Sequence, residues 1–203
     1  MSELLQLPTG NTALRALDWV QRTAELSIAN HSVRTFLHAR VVAASDGLVS
    51  GQDYDAELLF LACVLHDIGT TDEADGDLRF EVDGADAAAR FLTAQGLQPA
   101  ETDLVWEAIA LHTSPQIAER RGPVTRLTRL GVRGDFGLET VTESERRLIE
   151  DAYPRLDVEK HLGDAVLEQA LRKPEKAPRN SWPASLVRAH HDDPHNTGVS
   201  EAF

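Results

Sequence analysis

The chain has 203 residues, 42% of them hydrophobic and 26% charged, and a formal net charge of −13. Its length suits one domain with its own core, and the acidic excess argues against a nucleic-acid backbone or an anionic membrane surface as partner. No apolar run approaches the roughly 18–20 residues of a bilayer span, Met1-Ser2-Glu3-Leu4-Leu5 lacks the basic and apolar regions of a signal peptide, and the single cysteine, Cys63, has no intrachain partner, so a cytoplasmic setting is expected.

Thr12 is placed to cap a first helix over about residues 13–29, with Leu14, Leu17, Trp19, Val20 and Ile28 on its apolar side. Asn30-His31-Ser32 reads as a junction, and a second helix runs from there to about Ser45, ended by Asp46-Gly47. Asp53-Tyr54-Asp55 starts a third helix, since acidic residues suit a helix N-terminus. From Leu58 to Leu65 that helix has no polar side chain, which predicts burial on most sides. It carries His66 and Asp67 in its last turn before Gly69, the residue type that closes helices in the left-handed conformation. The other His-Asp pair, His191-Asp192, lies in a polar run with no apolar helix beneath it and reads as a solvated tail.

Residues 69–80 read as a polar loop, and Asp83-Gly84 as the opening of a helix that ends at Gln95-Gly96. Pro99 starts another that runs to about His112. A helix over 124–130 follows, then a break from Gly131 to Gly137 containing Asp135, then helices near 143–153 and 157–172. No segment alternates with a period of two over any useful length, so the fold class is all-α. A helical domain over 1–173 is expected to be followed by an extended arm over 174–203, rich in proline and polar residues and anchored by Trp182 and Leu186.

A histidine and an aspartate at the end of a buried helix are costly unless paired, and a cation suits the negative end of the helix dipole. His31, His66, Asp67 and Asp135 make a candidate site: two imidazoles and two carboxylates suit Zn, Mn, Fe or Ni. Plainer roles stay open for each, since a histidine near a helix end can cap or pack and Asp135 between glycines can be a turn residue. The candidates for moving a proton are His112, which ends its helix as His66 does, and Glu81. Against these stand a hydrogen bond to the helix end for His112 and a solvated position before a helix for Glu81. Arg34, one turn from His31, can pair with Asp67 or Asp135 or make an ordinary ion pair. His38, on the same face, reads as packed or exposed. Arg120, Arg121, Arg126, Arg129 and Arg133, with no acid among them, form either a solvated helix face or an anion-binding rim.

The segments Asn30-His31-Ser32-Val33-Arg34-Thr35, Leu65-His66-Asp67-Ile68-Gly69, Arg79-Phe80-Glu81-Val82-Asp83-Gly84-Ala85 and Ile109-Ala110-Leu111-His112-Thr113 resemble the HD-domain superfamily of metal-dependent phosphohydrolases over roughly residues 25 to 140. Within it, the His31-to-Thr35 start, His66-Asp67-Ile68-Gly69-Thr70-Thr71 and Phe80-Glu81 followed by Gly84-Ala85 are similar to the cyanamide hydratase branch. The resemblance implies an all-helical HD bundle with His31, His66, Asp67 and Asp135 as ligands of one divalent ion, Zn first and Fe, Mn or Ni as alternatives. Asp151 or Asp157 stays open in place of Asp135. The candidate catalytic group is His112, Glu81 and Arg34. His112 also fits a second metal, but His38 and His161 do not complete the histidine pair such sites add, so one ion is expected. A small-molecule substrate follows: a cyanamide- or nitrile-like compound attacked by activated water, or a nucleotide or phosphate ester held by the arginines from 120 to 133. A ligand-binding module without turnover is the third reading. Self-association into a homo-oligomer stays open.

Overall fold

A computed structural model describes residues 3–195. These residues form nine α-helices joined by turns, with one isolated bridge, Ser50–Tyr54, and no strand among them. The chain runs through α1 (Asn11–Thr23), α2 (Leu26–Ser45), α3 (Ala56–Leu65), α4 (Phe80–Ala94), α5 (Pro99–Leu111), α6 (Pro123–Asp135), α7 (Glu143–Ala152), α8 (Val158–Arg172) and α9 (Trp182–Asp192). The all-α expectation holds. None of these helices is long and apolar enough to cross a membrane.

α3 is the axis of the bundle. Asp55 caps it, accepting hydrogen bonds from the backbone N–H groups of Glu57 and Leu58. Every side chain from Leu59 to Leu65 is buried, and α1, α2, α5 and α6 pack around it. Each buried Leu or Phe of this helix contributes on the order of 1.5–3 kcal/mol relative to exposure. The apolar run therefore fixes the bundle about α3 and delivers His66 and Asp67, which follow its last turn, into the interior.

Three local features differ from the sequence expectation, each for a physical reason. The first helix ends at Thr23, and the junction falls at Ala24-Glu25, both extended in backbone. The Glu25 carboxylate caps α2 by accepting from the Ser27 N–H, a capping role for a longer side chain than the usual ones. His31 therefore lies within α2, on a continuous buried face with Arg34 and His38.

Gly69 does not end α3 in the left-handed conformation. It lies in a 3-10 turn, Ile68–Thr70, and a Cβ there would stand 1.9 Å from the Phe80 carbonyl oxygen and 2.9 Å from the Gly84 nitrogen. Gly69 and Gly84 are small so that α4 can press its first turn against the turn after Asp67. That helix begins at Phe80 rather than Asp83, which places Glu81 inside its buried first turn, not in solvent before it.

Nor does the chain break at Gly131. α6 continues to Asp135, and its glycines are its contact with α2: a Cβ on Gly131 would lie 2.3 Å from the Thr35 carbonyl oxygen, and one on Gly134 2.6 Å from the His38 Cβ. Small residues one turn apart bring the two backbones together, and this crossing sets Asp135 against His31.

Among the described residues, the segment from Pro174 to His195 is not extended, and residues 196–203 of the expected arm lie outside them. Pro174 opens a 3-10 turn and Pro183 sits in the first turn of α9, where proline loses no hydrogen bond. Trp182 and Leu186 are the expected anchors, buried in a second apolar cluster with Ile28, Phe80, Val158, Leu162 and Val166. Lys176, 1% exposed, fastens the same segment through Asp75, Asp83 and the Gly76 carbonyl.

Candidate metal centre

His66 and His112 are built alike. Each is the C-cap of its helix, α3 or α5, and each sends its Nδ1 to the carbonyl three residues back, Cys63 or Ile109, at 2.7 Å. With Nδ1–H as donor, the lone pair of each ring sits on Nε2. His31 reaches the same state from α2: its Nδ1 donates to Asp135 Oδ2 at 2.6 Å. The Nε2 atoms of His31 and His66 then face each other at 3.2 Å. Asp67 Oδ2 lies 3.1 Å from the His66 Nε2 and 3.6 Å from that of His31, and its Oδ1 is 3.5 Å from the Nε2 of His112. All four residues are at most 2% exposed.

Donor atoms of His31, His66 and Asp67 lie within 4.8 Å of one another, a group able to hold a metal ion. The chemistry of the set fits a divalent cation. Two imidazole lone pairs converge where repulsion is unfavourable without a cation between them, and neither oxygen of Asp67 receives a well-formed hydrogen bond, although both are buried. Burial would raise the Asp67 pKa, but His66 and His112 hold it well below the usual carboxylate range. Burial would lower that of His66, yet the adjacent Asp67 charge and the Cys63 carbonyl raise it. The centre keeps the Asp67 carboxylate ionised and favours positive charge beside it at His66. Nitrogen and oxygen donors of this kind suit Zn and its neighbours in the first transition row.

Asp135 stands apart from that donor group. It is the last residue of α6, where a carboxylate meets the negative helix end, and it is surrounded by cations instead. Arg34 binds it through two hydrogen bonds, Nε to Oδ1 and Nη2 to Oδ2, both 2.7 Å. Arg155 donates to its Oδ1 at 3.0 Å and to its backbone carbonyl, and His38 Nε2 lies 3.5 Å from Oδ1. Despite burial, His31, His38 and Arg34 hold the Asp135 pKa well below the usual range. Burial lowers the pKa of His31, a shift that Asp135 offsets only in part. Asp135 touches His31 at the ring nitrogen remote from Asp67. Of the two carboxylates open to Arg34, the structure pairs it with Asp135. Its Nη1 also holds the Tyr153 and Pro154 carbonyls, which fixes the turn after α7.

Glu81 is buried and occupied. Arg79 binds it through two hydrogen bonds and the Thr113 hydroxyl donates to its Oε1, which links α4 to the residue after His112. Arg129, buried, donates to the His112 carbonyl at 3.0 Å. The neighbouring arginines serve separate partners: Arg121 pairs with Glu107, Arg126 with Asp46, and Arg120 holds the Gln116 carbonyl. The sequence set His38 aside as packed or exposed and passed over Arg155 and Phe136; His38 is packed, beside Asp135. His38 had a signal, its seven-residue spacing from His31. Arg155 and Phe136, whose ring lies 5.2 Å from that of His31, had none, because the fold alone brings them to the centre.

A buried set of two imidazoles and a carboxylate, presented by the ends and faces of packed helices, is a group able to hold a divalent ion in an all-α protein. The HD domain family model matches residues 28–197, and the chain belongs to that family. HD domains are in general metal-dependent hydrolases that bind divalent ions, which assigns this chain the same broad activity. No curated protein matches the chain.

Proposed function

We propose that the chain hydrates or hydrolyses a compact, uncharged molecule with a carbon–nitrogen multiple bond, cyanamide or a small nitrile, with one divalent ion, zinc first, held by His31, His66 and Asp67. A single observation carries the choice of substrate: the guanidinium groups that touch Asp135, Glu81 and the His112 backbone are already engaged by the protein. Arg34 and Arg155 serve Asp135, Arg79 serves Glu81, and Arg129 serves the His112 carbonyl and Glu119. A phosphate ester needs cations free to meet its charge. Beside the imidazoles stand aromatic rings instead, Phe136 at His31 and Phe80 at His112, 5.6 Å between ring centres. Such walls favour a small neutral group.

An ion held by His31, His66 and Asp67 would supply Lewis-acid activation of water and of the substrate. His112 carries its lone pair on Nε2, facing Asp67, and is the group placed to take up and return a proton. Asp135, clamped by Arg34, orients the His31 ring from its far side and fixes its tautomer. Glu81 positions Thr113, and with it the backbone of His112. The test is turnover by zinc-, manganese- and iron-loaded protein on cyanamide, on acetonitrile-class nitriles and on nucleotides. Cyanamide or nitrile turnover that His112→Gln abolishes while metal content holds supports the reading. Turnover of phosphate esters alone overturns it.

A further inference from the structure

At the end of α2 remote from His31, a groove of about 730 Å³ opens between the N-terminal segment, α2, the turn before α3 and the start of α7. That volume suits a small organic ligand, and no residue of the metal centre lines it. Its walls include Leu4, Leu7, Phe36 and Leu48, with Arg40 and Tyr54 among its polar groups. The Arg40 guanidinium lies over the Phe36 ring, 5.7 Å from the ring centre. Its Nη1 donates to the Leu4 and Gln6 carbonyls at 3.2 and 2.8 Å, and Nη1 and Nη2 both reach the Glu3 carbonyl at 3.4 Å. These contacts fix the group without neutralising it. Among the described residues no carboxylate pairs with Arg40, and nothing accepts from its Nε. Nε–H and the outer N–H of Nη2 are the parallel donors that take a carboxylate side-on.

We infer that this groove binds a small monocarboxylic acid with an apolar body, its carboxylate side-on to Arg40 and its body against Leu7, Phe36 and Leu48. The site is separate from the metal centre and independent of the reaction proposed there. Tyr54 offers a second donor: its hydroxyl makes no hydrogen bond among the described residues. Burial pushes its pKa up and the nearby Arg40 charge offsets part of that, so the phenol keeps its proton at neutral pH. The charge count selects a monoanion. One guanidinium matches one carboxylate, and two acids in the lining, Glu3 and Glu145, oppose a second negative charge. Glu145 is itself engaged, its Oε2 accepting from the Thr142 N–H at 2.9 Å and from the Thr142 hydroxyl at 2.6 Å at the start of α7. A phosphate dianion is therefore the poorer ligand, and a neutral isostere leaves the Arg40 fork unmade.

The test is calorimetric titration of the full chain, zinc-loaded and zinc-free, with octanoate and phenylbutyrate, beside octanamide as the neutral isostere and octyl phosphate as the dianion. Amide NMR shifts locate the bound acid. Both acids should bind one to one with a Kd on the order of 1 mM or tighter, equally with and without zinc, and should shift signals of the groove rather than of the metal centre. Arg40→Gln should weaken them at least tenfold. Ala44→Trp, which fills the groove from an exposed position of α2 and leaves Arg40 in place, should abolish binding. Circular dichroism reports whether each variant is folded, and the second keeps the test alive if loss of Arg40 loosens the N-terminal segment. No saturable binding, undiminished binding in Ala44→Trp, or shifts confined to the metal centre overturn the site. Octanamide or octyl phosphate binding as tightly as octanoate overturns the choice of a monocarboxylate. None of these results bears on the proposed function, which is tested by turnover at the metal.

Discussion

Replacing Gly131 by alanine tests how the α2–α6 crossing builds the centre. The new Cβ would lie 2.3 Å from the Thr35 carbonyl oxygen, 3.0 Å from the Ala39 Cβ and 3.2 Å from the Ala39 nitrogen, about 1.1 Å short of the 3.4 Å of ordinary contact with the first of these. Two of those three atoms are α2 backbone, so the helices must part. Overpacking of this kind costs about 1–3 kcal/mol, and the better helix propensity of alanine returns at most about 1 kcal/mol. The net expectation is a loss of roughly 1–2 kcal/mol, a fall in Tm of about 2–8 °C for a domain of this size. Gly163 in α8 is the internal control: a Cβ there meets nothing within 4 Å, so Gly163→Ala should raise stability by about 0.5–1 kcal/mol. Thermal and urea unfolding measure both. Gly131→Ala should also weaken zinc binding, because His31 and Asp135 face each other across this crossing. A Gly131→Ala protein as stable as wild type, beside a stabilised Gly163→Ala, would refute the reasoning.

Asp135→Asn leaves the buried Arg34 without its charge partner and should cost about 3–5 kcal/mol; adding Arg34→Met should recover part of that loss in urea titrations, and no recovery would show the two residues to be uncoupled. The Asp135 pKa is depressed on folding, so between its folded and unfolded values the unfolded chain binds more protons than the native one. Its contribution to apoprotein stability is complete above about pH 4, the unfolded value, and is lost as pH falls toward the folded one; urea midpoints should drop there in wild type and less steeply in Asp135→Asn. The Cys63 thiol, buried in α3 with its pKa pushed up to about 12, should resist a thiol reagent at pH 8 and react only after unfolding. Reaction at the rate of a free thiol would contradict its burial.

The centre was legible in the sequence where one helix carries it. The apolar run of α3 predicted its own burial, and its end supplied His66 and Asp67; His112 repeats that construction in α5. What was not legible depends on close approach between elements. Gly69, Gly131 and Gly134 read as punctuation, because a lone chain cannot show that a glycine faces another backbone rather than a turn. Glu25 hid the α1–α2 junction because its capping bond uses a side chain more often found in solvent. The prolines of the C-terminal segment read as breakers although Pro183 occupies a helix start, where proline is tolerated. Arg155 reaches Asp135 from the turn after α7, where Arg34 holds the Tyr153 and Pro154 carbonyls, and the left-handed residues Leu156 and Asp157 that follow carry no glycine to signal the turn.

The most direct test of the central claim is metal content. Protein purified without a nickel column, wild type and Asp67→Ala, is loaded with zinc, desalted and weighed intact by native mass spectrometry. The account predicts about one equivalent of zinc in the wild type and its loss in Asp67→Ala, with the helical content of both unchanged. A folded wild type that cannot be loaded with zinc, manganese or iron, or an Asp67→Ala variant that holds the ion as tightly, would contradict it.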